Sequence, residues 1–164
     1  MKTSWRTLWQ QQSIVVYRDE IEFDRLAAER IGRVFLVYCG AGDSPGDIGM
    51  SIVEFADDAD GFALFAAHTG FAGRVNFERQ AFWQARSCVY WVPAASVALP
   101  WRLRLGGWRG EATGGAYRRV ARGQIEACLG GWVLEGPQTW EERKQGRLER
   151  SRPFGAVTTW RAAC

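Results

Sequence analysis

Between Trp101 and Glu135 the chain reads Trp101-Arg102-Leu103-Arg104-Leu105-Gly106-Gly107-Trp108-Arg109-Gly110-Glu111-Ala112-Thr113-Gly114-Gly115-Ala116-Tyr117-Arg118-Arg119-Val120-Ala121-Arg122-Gly123-Gln124-Ile125-Glu126-Ala127-Cys128-Leu129-Gly130-Gly131-Trp132-Val133-Leu134-Glu135. Glycine returns every eight residues, at Gly107, Gly115, Gly123 and Gly131. A six-residue strand and a two-residue turn have that period, so the stretch reads as consecutive β-hairpins. Glycine supplies the positive φ of such turns without steric cost. The doublets Gly106-Gly107, Gly114-Gly115 and Gly130-Gly131 suit it; Arg122-Gly123 does not, because Arg122 would sit at positive φ.

A three-residue loop, Ala121-Arg122-Gly123, closed by a glycine bulge, resolves the difficulty. It also sets the register, because one residue of slip turns every side chain over. Trp101, Leu103, Leu105, Trp108, Tyr117, Ile125, Ala127, Leu129, Trp132 and Leu134 then share one face. Arg102, Arg104, Arg109, Glu111, Arg118, Glu126 and Glu135 share the other. Arg102, Glu111, Arg118 and Glu126 form a cross-strand row of alternating sign, stabilising by roughly 0.2–1 kcal/mol a pair. In this register Arg119 points inward and needs a partner there. The competing reading is a helix over 116–129, with Gly123 costing it about 1 kcal/mol.

Working outward, Ser13–Tyr17 reads as a strand. Asp19 with Glu22 resembles a helix cap and its box partner. Phe23, Leu26, Ala27 and Ile31 follow at helical spacing and Gly32 is a fitting stop, which predicts the main helix over about 20–31. Arg33–Cys39 is a strong strand and Gly40–Asp47 a loop. Ile48–Phe55 and Phe62–Ala67 are strands on either side of an acidic turn, Asp57-Asp58-Ala59-Asp60-Gly61. Asn76–Arg86, with Phe77, Ala81 and Ala85 on one face, predicts a short helix. Cys88–Val92 is a strand ended by Pro93. Thr139 with Glu142 resembles a second capping box; Gly146 leaves helix and hairpin both open beyond it. Phe154–Trp160 reads as a final strand. The expected fold is a single α+β domain, predominantly antiparallel β, with a C-terminal five-strand meander over about 101–135, a main helix near 20–31 and one or two short helices.

The 164 residues suffice for one core, burying roughly 68–70% of the unfolded surface. Nine tryptophans exceed what one small core needs, which predicts that some line an interface. Residues 1–60 hold six basic and eleven acidic side chains, net −5; residues 61–164 hold fifteen and seven, net +8. Such a split can steer an anionic partner to the C-terminal half or be neutralised within the fold. Basic charge is nineteen Arg and two Lys, as a GC-rich bacterial genome produces. Cys39, Cys88, Cys128 and Cys164 form no close pair. Met1–Gln12 is polar with no apolar signal core, and no apolar run has the length of a membrane span. Reduced thiols in a cytoplasm, without a membrane, are therefore expected.

Catalytic motifs mostly fail on physical grounds. Gly42-Asp43-Ser44-Pro45-Gly46 matches the G-x-S-x-G nucleophile elbow after a strand. The elbow uses the N–H following the serine to hold the oxyanion, and Pro45 has none. His68, the single histidine, follows too soon for that order. The stretch reads instead as a plain loop or an anion-binding nest. His68 with Cys39 or Cys88 has no supporting spacing for a thiol nucleophile and its base. One histidine and four scattered cysteines do not make a zinc site, and Asp57-Asp58-Asp60 lacks EF-hand spacing. No cofactor, metal site or catalytic residue is assigned.

These exclusions leave a non-enzymatic cytosolic protein-binding module as the first reading. In organisation, a small tryptophan-rich α+β chain looks like the immunity proteins that bind and neutralise bacterial toxins; the likeness implies a toxin as partner. Trp and Arg dominate interface hot spots, which nominates Arg102, Arg104, Arg109 and Arg118 as partner-binding residues. The same residues carry the alternative of nucleic-acid or polyanion binding, against which the interleaved glutamates would act. A small hydrolase using Ser44, His68 and Cys39 is the remaining alternative.

Overall fold

The computed structural model of the chain describes residues 3–38, 48–57, 61–66, 71, 80–91, 116–125, 134–146, 150–151 and 153–154. Strands β1 (Trp5–Gln10), β2 (Ser13–Arg18) and β3 (Ile21–Ala27) form an antiparallel sheet in the order β1-β2-β3. Strands β4 (Ile31–Tyr38), β5 (Ile48–Phe55), β6 (Phe62–Ala66), β7 (Ser87–Trp91), β8 (Tyr117–Val120), β9 (Leu134–Glu135) and β10 (Arg150–Ser151) form a second, in the order β10-β9-β7-β4-β5-β6-β8. Only the β4–β7 pair is parallel among the described pairings. Among the described residues two one-turn helices, α1 (Gln80–Gln84) and α2 (Trp140–Lys144), accompany them. The chain is thus β-rich and largely antiparallel, as expected.

Strand β4 anchors the larger sheet. Its Val34-Phe35-Leu36-Val37-Tyr38 run is apolar at every position, as a strand buried on both faces requires. Val34, Leu36 and Tyr38 join Val53, Ala63 and Phe65 on the face that meets Trp5, Ile14, Val16 and Leu26 of the smaller sheet. Phe35 and Val37 join Ile52, Leu64, Val120, Ile125 and Phe154 on the other face. Trp5, Trp83 and Trp91 are buried in the first cluster and Trp9 packs against it, so these four serve the core rather than an interface. Gly61 sits at φ +66°, where a Cβ would come 2.4 Å from the Val120 carbonyl oxygen. Glycine there lets the β5–β6 turn lie against the end of β8.

Three expectations need correction. The first is the main helix at 20–31, where the chain runs as β3 and a 3-10 turn over Ala28–Arg30. Asp19 and Glu20 have φ of 50° and 67°. They form the two-residue turn of the β2–β3 hairpin, between paired Arg18 and Ile21. The Asp19 carboxylate accepts from the Ser4 N–H at 2.8 Å instead of capping a helix. The helix-like spacing of Phe23 and Leu26 comes from a β-bulge: Tyr17 pairs with Glu22 and Val16 with Asp24, leaving Phe23 as the extra residue.

The second correction concerns the meander. β8 pairs with β6, whereas β9 pairs with β7 on one side and β10 on the other. Strand 134–135 therefore finds its described neighbours outside the expected meander. Residues 101–115 and 126–133 lie outside the described residues, and with them the glycine doublets. Consecutive antiparallel runs do exist, but they are β1-β2-β3 and β4-β5-β6.

The third correction is the turn at Gly123. Residues Arg122–Gln124 form a 3-10 turn, and Ile125 continues it with φ −61° and ψ −42°. Two tertiary contacts override the hairpin. Glu54 and the Phe55 carbonyl hold Arg122, at 2.7 and 3.1 Å, and Ile125 is buried in the second cluster.

Other readings hold. Thr139 and Glu142 form the expected capping box, each accepting the other's backbone N–H, and Gly146 at φ 73° follows α2. The helix expected over 76–86 is present as Gln80–Gln84, but Trp83 is its buried residue while Ala81 and Ala85 are exposed. Phe154 lies in a turn, and 155–160 lie outside the described residues.

Candidate functional site

Strand β3 reads Ile21-Glu22-Phe23-Asp24-Arg25-Leu26-Ala27 and lies at one edge of the smaller sheet. Leu26 pairs with buried Ile14 and Asp24 with buried Val16, so both face the larger sheet. Leu26 fills the core there. Asp24 meets β8: the Tyr117 hydroxyl donates to Asp24 Oδ2, and Arg119 donates to the same oxygen at 2.7 Å and to Oδ1 at 3.3 Å. This is the inward partner that the sequence demanded for Arg119. The guanidinium also lies 4.4 Å from the Phe55 ring centroid, a cation–π contact. One carboxylate thus ties the two sheets together.

The electrostatics of this latch follow from its burial. Desolvation pushes the Asp24 carboxyl up, but hydrogen bonds from Arg119 and Tyr117, the Arg119 charge and the Arg25 N–H outweigh it, and the net shift is downward from 3.8. Burial pushes the Tyr117 phenol up, and its bond to Asp24 and that carboxylate's charge add to the rise against the opposing Arg119. The pair is therefore an ionised carboxylate and a neutral phenol across the ordinary pH range.

Beside the latch, Ile21 is 72% and Phe23 52% exposed, the large apolar side chains left in water among the described residues. Phe23 is the bulged residue of β3. Its ring meets Trp5 edge-on at 5.2 Å and Tyr117 at 6.1 Å. Ile21 lies opposite Arg18, whose guanidinium lies 5.7 Å from the Trp5 ring centroid. The Trp5 indole is buried, yet its Nε1 has no hydrogen-bond partner. Around this patch stand the ion pairs Arg6–Glu20 at 2.7 Å, Arg18–Asp19 at 3.9 Å and Glu22–Arg25 at 2.7 Å. In each the carboxylate is the more exposed member. Hydrogen bonds from Arg25 hold the Glu22 carboxyl below its ordinary value.

Of the nominated arginines, Arg118 lies on β8, half-buried, with Leu64 as its described cross-strand neighbour. Arg102, Arg104 and Arg109 lie outside the described residues, as do Glu111 and Glu126 of the expected charge row. Ser44, His68 and Cys39 also lie outside them. Among the described residues no group of three His, Cys, Asp or Glu side chains is placed to hold a metal. No helix there is long and apolar enough to cross a membrane. Cys88, expected as a reduced thiol, is disulfide-bonded. The sequence reading missed Ile21 and Phe23 as surface groups. Their alternation with Glu22 and Asp24 was the available signal, masked by the bulge.

Comparison of the chain with protein-family models, with curated proteins and with solved structures gives no match.

Proposed function

We propose that the chain is a non-enzymatic protein-binding module that engages its partner through Ile21 and Phe23 on β3. The observation that carries this reading is the exposure of two large apolar side chains side by side on an edge strand. Such a patch is costly in water unless it is covered in use. The rigid support beneath it, Trp5 and the Asp24 latch, fits a site that must hold its shape. A toxin as partner is the specific form of this reading, as the overall organisation suggests. A disulfide at Cys88 favours an oxidising compartment over the expected cytoplasm.

The test is site-directed photo-cross-linking. A photo-reactive amino acid is placed at position 23, or at exposed Glu29 as control, in the full chain co-expressed with the products of adjacent genes. The expected result is an adduct with one of those products from position 23 and none from position 29. No adduct from either position, or equal adducts from both, would sink the reading.

A further inference from the structure

The manner of docking can be taken further, and it rests on the binding role just proposed for Ile21 and Phe23. Three observations converge on β3. Among the described residues no strand pairs with its outer edge, and apart from the Arg25 N–H, which donates to the Asp24 carboxylate at 2.7 Å, its main-chain donors and acceptors have no described partner there. Ile21 and Phe23 supply apolar anchorage at one end of it. Around the patch the carboxylates are the more exposed members of their ion pairs, the Glu20 side chain 70% exposed against 36% for its partner Arg6.

We infer that this site takes an extended peptide segment of the partner, laid along the outer edge of β3, with apolar side chains at alternate positions and basic residues among them. The segment's apolar residues cover Ile21 and Phe23. Its basic groups meet Asp19, Glu20 and Glu22. The same features disfavour a second copy of this chain as occupant. The bulge at Phe23 and the inward-turned charge of Asp24 are devices that keep one folded sheet from pairing edge to edge with another. A short adaptable segment meets neither obstacle.

A phage-displayed random peptide library is panned on the full chain and counter-panned on the Ile21→Ser/Phe23→Ser double variant. Both substitutions are at exposed positions, and the variant's fold is checked by far-UV circular dichroism. The expected outcome is enrichment of peptides alternating apolar and basic residues. N-methylation of alternate backbone amides of the best peptide should weaken it about tenfold or more, from lost hydrogen bonds. Absence of enrichment, enrichment of acidic peptides, or affinity indifferent to N-methylation overturns strand docking. If cross-linking from position 23 still captures a partner in that event, the patch binds a folded surface and only the strand mode falls. If both experiments fail, the binding role falls with it.

Discussion

Strands β3 and β4 are neighbours in sequence and opposites in use. β3, Ile21–Ala27, carries three charged residues and β4, Ile31–Tyr38, carries one. β4 lies between β7 and β5 with both faces covered. Its single charge, Arg33, is met by buried Glu54 at 2.7 Å, and Glu54 also holds Arg122. β3 has one paired edge, one inward charge held by β8, and two apolar side chains in water. The contrast separates stability from recognition: a residue matters for folding where neighbours surround it, and is available for binding where they do not.

Substitutions at the two strands should therefore differ in kind. The largest effect is expected from Phe35→Ala on β4. It removes a fully buried ring that meets Tyr90 and Phe154, and should cost about 3–5 kcal/mol of unfolding free energy in urea titration. A loss below 1 kcal/mol would deny β4 its central place.

Asp24→Asn comes next, with a loss of about 1–2 kcal/mol from weakened bonds to Tyr117 and Arg119. It also has a pH signature. Because Asp24 is held below 3.8 when folded, its stabilisation is complete above that value and is lost as pH falls through the folded pKa. Tyr117 is raised above 10.0 when folded, so its contribution is intact below pH 10 and declines as pH rises beyond it. Asp24→Asn should flatten the acid limb of a stability–pH curve, and Tyr117→Phe the alkaline limb. Unchanged limbs would mean that the latch does not join the sheets in solution.

Thr139→Ala removes the α2 cap and should cost about 1 kcal/mol, read as a lower urea midpoint at constant slope. The smallest stability effect belongs to the patch itself. Phe23→Ser should change unfolding free energy by about 1 kcal/mol or less, from its lost edge contacts with Trp5 and Tyr117, while abolishing partner capture. A large loss of stability would show that Phe23 is a packing residue and would erase the contrast with β4.

How far the sequence spoke varies by element. The continuous apolar run of β4, the Thr139–Glu142 box and the inward need of Arg119 were legible. Each depends on residues adjacent in the chain or on one strand's alternation. The N-terminal hairpin was not. Its turn is Gln11-Gln12, at φ of 47° and 58°, with none of the Gly, Asn or Asp that marks such a turn. The bulge at Phe23 hid the alternation of β3 behind a helical spacing. The site was missed for the same reason, since both of its anchors fell within the expected helix.

By itself, then, the sequence determined the apolar run of β4, the antiparallel β character and the Thr139–Glu142 cap, because side-chain size, polarity and short-range hydrogen bonds act within a few residues. Only the tertiary structure decided which strands pair, that Asp24 reaches across 93 residues to Tyr117, and that Arg122 and Ile125 turn the chain away from a hairpin. Those outcomes depend on which distant groups satisfy a buried charge or fill a core face. The eight-residue glycine period carries no information about that choice.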